Sequence, residues 1–429
     1  MRFSELALYF QKLEQTSSRN SMTEILAQLF NKASVEDIDK ICYLTQGRVA
    51  PLFIALEFGM ADKMVIKALS LASGKSADEV NKFFKKVGDL GKVAEELLAD
   101  TKGAGSFFVQ PAPRAYLSLK QKHSTRSTPK GGVRSALEKE DPHLLQKIPN
   151  VTDVFSILKE IASSSGPGSV ERKTTLLADL LRKVDSLSAR FIVRIPLAKM
   201  RLGFSDMTVL DALSYTICDD KSCRPEIEKA YNVRPDLGLI AKKIKEKGIK
   251  GIREIGPEAG TPILMARAER LSSGKEIIAK IGKCAIEPKL DGFRLQVHFS
   301  KNSELQIPYF KLENEKLFDE EQKHVILFTR NLEDVTHMYP DVVEGVVSQI
   351  KANEVIFEGE AIAYNPDTGE YLPFQETVQR KRKYDIEAMS KSVPLKLIVF
   401  DILYIDGENL IHKPFLERRK RLEEIFRNL

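Results

Sequence analysis

The sequence predicts a multidomain chain, with an all-α N-terminal region followed by an α+β region built on an antiparallel sheet. Three observations predict it. The length, 429 residues, suggests two or three domains at roughly 150 residues each. Up to about residue 245 the apolar residues recur at helical spacing, with no convincing strand-like alternation. After about Gly251 the period shifts to two, and turn dipeptides separate the runs. The expected division is 1–245 for the helical domain and 246–429 for the sheet domain.

The elements follow in order. Phe3, Leu6, Phe10 and Leu13 mark one face of a first helix. Ser34-Val35-Glu36-Asp37 opens a helix through Ile38, Ile41 and Leu44, with Gly47 as its stop. Ser76-Ala77-Asp78-Glu79 opens another, carrying Val80, Phe83, Phe84 and Val87 and stopping at Gly88. Gly74-Lys75-Ser76 resembles the end of a phosphate loop, but the earlier glycine position holds Leu69, so a helix cap is the better reading. Residues 101–150 hold Gly and Pro among Ser, Thr and basic residues and read as an insertion. Helices resume near Val154, and Lys173–Leu187 and Met207–Ile217 are amphipathic. In the second region Lys283–Glu287, Phe293–Phe299, His324–Thr329, Glu354–Tyr364 and Leu395–Tyr404 are strand candidates. Alternation in Phe293–Phe299 predicts a half-buried strand. Asn365-Pro366 and Asp406-Gly407 are turn signals.

Composition excludes some classes. Lys plus Arg is 66 against 60 Asp plus Glu, a net charge of +6. Residues 101–150 carry nine Lys/Arg and three Asp/Glu, which is the whole excess. So weak an excess does not by itself indicate nucleic acid. No apolar run reaches about 18 residues, so a transmembrane helix is not expected. The start, Met1-Arg2-Phe3-Ser4-Glu5, lacks a signal-peptide core. Cys42, Cys218, Cys223 and Cys284 form no Cys-x-x-Cys pair. They are expected to be free thiols in a reducing cytoplasm, without zinc.

The informative stretch is Glu287-Pro288-Lys289-Leu290-Asp291-Gly292-Phe293-Arg294. Alone, its Asp-Gly fits a surface hairpin. Its surroundings say more. Arg330 lies in Phe328-Thr329-Arg330-Asn331, Glu360 follows thirty residues later in Phe357-Glu358-Gly359-Glu360, and Phe400 forty after that in Val399-Phe400-Asp401. Together these resemble the covalent nucleotidyltransferases, most closely the ATP-dependent DNA ligases of the archaeal and eukaryotic replicative type. Tyr43-Leu44-Thr45-Gln46-Gly47-Arg48, Gly88-Asp89-Leu90-Gly91, Phe191-Ile192-Val193-Arg194 through Lys199-Met200-Arg201-Leu202-Gly203, and Tyr231-Asn232-Val233-Arg234-Pro235-Asp236-Leu237-Gly238 resemble that family's N-terminal DNA-binding domain. The resemblance covers nearly the whole chain except 101–150.

The resemblance implies that Lys289 attacks the α-phosphate of ATP, giving Lys–AMP and pyrophosphate. AMP then passes to a 5′-phosphate at a nick, and the 3′-hydroxyl displaces it. It implies Glu287 near the adenine edge, Arg294 and Arg330 on phosphate or ribose oxygens, Glu360 on ribose or Mg²⁺, and Phe400 stacked on adenine. Such chemistry needs a neutral lysine, hence burial or nearby positive charge. Taken singly, Arg294 and Arg330 also read as exposed strand residues, Glu360 as a strand's polar face and Phe400 as core. Arg48, Arg194, Lys199 and Arg201 are candidate DNA-phosphate contacts, the turn 88–91 could offer N–H groups to phosphate, and Arg380-Lys381-Arg382-Lys383 invites a similar reading.

Some residues depart from the family pattern. Pro288 and Phe293 stand where Tyr and Glu are expected. Residues 101–150 and 304–323 read as insertions. No later Glu-Gly motif, phosphate-binding lysine motif or OB-fold domain follows Phe400, so a C-terminally truncated ligase, incomplete in its adenylation domain and with impaired sealing, is expected. The expected partner is nicked duplex DNA in replication, repair and recombination, with a sliding clamp as a further candidate. A monomer associated with the nucleoid in the cytoplasm is expected. A non-catalytic duplex-binding module is the alternative. An RNA ligase or capping enzyme fits the long helical region poorly, and an NAD-dependent ligase lacks its nicotinamide-binding domain here.

Overall fold

The computed structural model describes residues 1–103, 149–305, 324–382 and 385–426. The two sequence-predicted insertions fall largely outside these residues. The chain divides into two compact units, Met1–Leu8 with Gly59–Lys199, and Tyr9–Phe58 with Met200–Leu429.

The first unit is helical. Helices Asp62–Ser73, Ala77–Val87, Leu90–Gly103, Val151–Ser163, Ser169–Arg182 and Ser186–Arg194 pack around Val65, Leu69, Val93, Leu158, Leu177 and Phe191. The Ser76 capping box forms, and Gly74 and Gly88 end their helices in the left-handed conformation that glycine adopts without a Cβ clash. Gly74-Lys75-Ser76 is therefore a helix stop and start. The expected amphipathic run Lys173–Leu187 is two helices. Asp185 caps the second by accepting the Ser188 N–H at 2.9 Å.

The second unit joins a helical part to a sheet. Helices Arg19–Lys32, Val35–Thr45, Asp206–Cys218, Arg224–Val233 and Leu237–Lys247 form the helical part. Two of the family-like segments meet here. The Tyr43 hydroxyl donates to Asp236 at 2.6 Å, and the Tyr43 ring lies where a side chain on Gly238 would stand. Cys218 and Cys223 form a disulfide, with Cα atoms 6.3 Å apart. This corrects the free-thiol expectation for that pair. The tight turn after Asp206–Cys218, with Asp219 at φ 56°, returns the chain and brings the two together. Cys42 and Cys284 are free.

The sheet has five strands, β1 Phe293–Ser300, β2 Val325–Thr329, β3 Glu354–Ala363, β4 Leu395–Ile405 and β5 Glu408–Asn409. The order is β2-β1-β3-β4-β5 and every pairing is antiparallel. Four expected strands are present. Asp406 and Gly407, both at positive φ, make the two-residue turn of the β4–β5 hairpin. One face carries Leu295, Val297, Leu327, Val355, Phe357 and Ile402 against Val342, Val343 and Val346 of helix Pro340–Gln349 and Leu422 of helix Phe415–Ile425.

Two expectations fail. Lys283–Glu287 is not a strand, and its residues are all exposed, with Ile286 at 93%. A strand needs a ladder partner, and among the described residues none lies beside it. Nor is β1 half-buried. Its alternate polar residues Gln296, His298 and Ser300 are buried as well. The segment around Gly260–Ile263 bonds to the Gln296 and His298 side chains, and the Ser300 hydroxyl bonds to that of Ser303.

Candidate active site

The site is on the polar face of the sheet. Antiparallel register sets Arg294 of β1 opposite Glu360 of β3, and Gln296 opposite Glu358. Phe400 falls in a register shift of β4, between Asp401 opposite Glu358 and Val399 opposite Gly359. A bulge of this kind re-aims its side chain. Phe400 is only partly buried, and the Arg294 guanidinium lies 5.1 Å from its ring centre. Arg294 also pairs with Glu358, which is buried. Ile263, Met265, Arg294, Gln296, Thr329, Arg330, Leu332 and Glu358 line one shallow cleft. Arg330 is at its exposed end, just past β2.

Lys289 precedes β1 on an exposed segment. Gly292 brings that segment against β3, because a Cβ there would collide with the Ala361 carbonyl oxygen. Glu360 accepts a hydrogen bond from the Gly292 N–H and feels the charges of Lys289 and Arg294. Burial nevertheless outweighs them and raises its carboxyl above the usual range. The structure thus gathers Arg294, Glu360 and Phe400, with Lys289 beside Glu360 and Arg330 across the cleft. Glu287 is exposed. The isoleucines beside the lysine segment are exposed too, Ile278 at 63% and Ile281 at 62%.

Sequence reasoning missed a buried polar chain beneath the cleft. Gly260 N–H donates to His298 Nδ1 at 3.2 Å, and His298 Nε2 meets Gln296 Oε1 at 3.0 Å. Gln296 also accepts the Ile263 N–H at 2.7 Å and donates to the Ile263 carbonyl and to Glu358, each at 3.1 Å. Burial pushes the His298 imidazole down to about 3, so it is neutral here. The signal available was two polar residues, Gln296 and His298, on one face of the β1 alternation, which reads equally well as a solvent face.

The candidate DNA contacts separate. Arg194 is 1% exposed and pairs with buried Asp89 at 2.5 Å. This corrects its reading as a surface phosphate contact. Asp89 also accepts the Gly91 N–H at 2.9 Å, so that amide is not offered to a phosphate. Lys199 is exposed and pairs with Asp62 at 3.2 Å. Arg201 is exposed at φ 57°, and Arg48 is partly exposed near Tyr231. In the basic run, Arg380 is buried on Asp341 at 2.5 Å and Lys381 meets Glu333 at 3.3 Å, while Lys383 lies outside the described residues.

Among the described residues no group of three or more His, Cys, Asp or Glu is placed to hold a metal ion. Glu360 offers one carboxylate, and Mg²⁺ commonly takes one or two and completes its shell with water and substrate phosphates. No helix among the described residues is long and apolar enough to cross a membrane.

The family model described as DNA ligase N terminus matches residues 2–214, and that described as ATP dependent DNA ligase domain matches residues 316–429. A probable DNA ligase of Dictyoglomus turgidum is 42% identical over 99% of this chain and 62% of its own length. DNA ligase 2 of Thermofilum pendens is 41% identical, with the same coverage. A DNA ligase of Staphylothermus marinus is 39% identical over 99% of this chain and 64% of its own length. The chain belongs to the ATP-dependent DNA ligase family. It spans about three fifths of the length of these relatives.

Proposed function

We propose that this chain carries the nucleotide-charging step of a DNA ligase that seals nicks in duplex DNA. The Lys289 amine, on losing its proton, attacks the α-phosphorus of ATP. An N–P bond forms, the bond to the β-phosphate oxygen breaks, pyrophosphate leaves and the amine proton goes to solvent. The adenylate then passes to a 5′-phosphate, and a 3′-hydroxyl displaces AMP. Arg294 and Arg330 hold phosphate or ribose oxygens, Phe400 stacks on the base, and Glu360 contacts the ribose or Mg²⁺. Mg²⁺ supplies charge neutralisation on the phosphates when bound. Residues 1–245 grip the duplex backbone, with Lys199, Arg201 and Arg48 as contacts, and residues 246–429 carry the charging chemistry.

One observation carries the reading. Arg294, Glu360 and Phe400 come from three strands into one cluster, beside the turn that bears Lys289. Incubation with α-labelled ATP and Mg²⁺ tests it. The wild-type chain is expected to take covalent label and the Lys289→Ala variant none. An unlabelled wild type that still binds duplex DNA with a steep salt dependence would favour the non-catalytic module.

A further inference from the structure

We propose that Gln296 is a positioning residue for the nucleotide. Its amide couples the Ile263 wall of the cleft to Glu358 and, through Glu358, sets the Arg294 guanidinium over Phe400. The inference rests on the cleft being the nucleotide site.

The amide is fully engaged. Its oxygen accepts from the Ile263 N–H and from His298 Nε2, and its two N–H donors reach the Ile263 carbonyl and the Glu358 carboxylate. An amide oxygen accepts two bonds and its nitrogen donates two, so no capacity is left for a ligand. Gln296 therefore acts on the cleft through its neighbours. Its orientation is also determined. Turned over, it would set its oxygen against two acceptors, the Ile263 carbonyl and Glu358. His298 fixes it from the other side, because Nδ1 takes the Gly260 N–H and leaves Nε2 as the donor.

Arg294 is the end of this chain that faces a ligand. Its side chain is held by buried Glu358 on one edge and lies over Phe400 on its plane. Its Nε is buried with no hydrogen-bond partner among the described residues, a donor left unsatisfied at this position. A guanidinium held in advance loses less freedom when it binds phosphate. Lys289 is outside the chain of bonds, so loss of Gln296 acts on nucleotide binding more than on the chemical step.

Single-turnover charging of the 429-residue chain with ATP and Mg²⁺ separates these effects. Gln296→Met is expected to raise the half-saturating ATP concentration about tenfold, with the limiting rate kept within about threefold. In an Arg294→Met background the same change is expected to add less than about twofold, because its path to the ligand is gone. An unchanged half-saturation, a loss confined to the limiting rate, or a full tenfold addition on Arg294→Met would overturn the proposal. Where Gln296→Met does not fold, Glu358→Gln serves. It keeps an oxygen facing Gln296 and loses the charge that holds Arg294, and an unchanged half-saturation there overturns the proposal equally. Failure of the wild type to label at Lys289 would remove the nucleotide site itself. A labelled wild type matched by Gln296→Met would remove the positioning role alone.

Discussion

Acidification is expected to weaken the sheet through His298. The imidazole is buried, its Nδ1 accepts the Gly260 N–H, and burial lowers it from 6.5 to about 3. The unfolded chain takes up a proton near 6.5 that the folded chain refuses. The stabilising contribution is therefore present above that value and is lost as pH falls toward about 3. Between pH 7 and pH 5 the unfolded state gains about 0.7 of a proton at this site, and the loss summed over the interval is about 2 kcal/mol. His298→Gln retains a donor toward Gln296 and removes the titration. Amide hydrogen exchange of β1 and β3, corrected for intrinsic rates, reads the local opening free energy. The wild type should lose about 2 kcal/mol more than His298→Gln over that interval. Equal losses in the two proteins would refute the neutral, buried imidazole.

Two further outcomes follow from the same chemistry. Burial raises the Glu360 carboxyl, so its charged form costs the fold stability at neutral pH, and that cost disappears as pH falls below the ordinary carboxylate range. Glu360→Gln should then unfold at a higher temperature at pH 7, with the gain vanishing near pH 4, while labelling by ATP falls at least tenfold. Arg194→Met leaves Asp89 buried without its guanidinium and should destabilise the first unit by about 3–5 kcal/mol in urea unfolding, whereas Lys199→Met should change it by under about 1 kcal/mol.

What the sequence revealed depended on how local the cause was. The Ser76 box, the glycine stops at 74 and 88, the Asp406-Gly407 turn and four strands follow from neighbours within a few residues. The candidate site rests on a joint pattern of Lys289, Arg294, Arg330, Glu360 and Phe400, none of them distinctive alone. Features made by distant segments were not legible. Burial of the Gln296 and His298 face needs the Gly260–Ile263 segment, some 35 residues away, and alternation cannot tell such a cover from water. Arg194 looked like a phosphate contact because its partner Asp89 is 105 positions away. Lys283–Glu287 has strand-like residues but no described neighbour to pair with.

Lys289 is proposed as the nucleophile. Mass-spectrometric mapping of the whole chain after incubation with ATP and Mg²⁺ tests it most directly. One AMP is expected, joined through an acid-labile N–P bond to the peptide containing Lys289 and released when pyrophosphate is added back. AMP on another residue, or none with wild-type protein that still binds ATP, would contradict it.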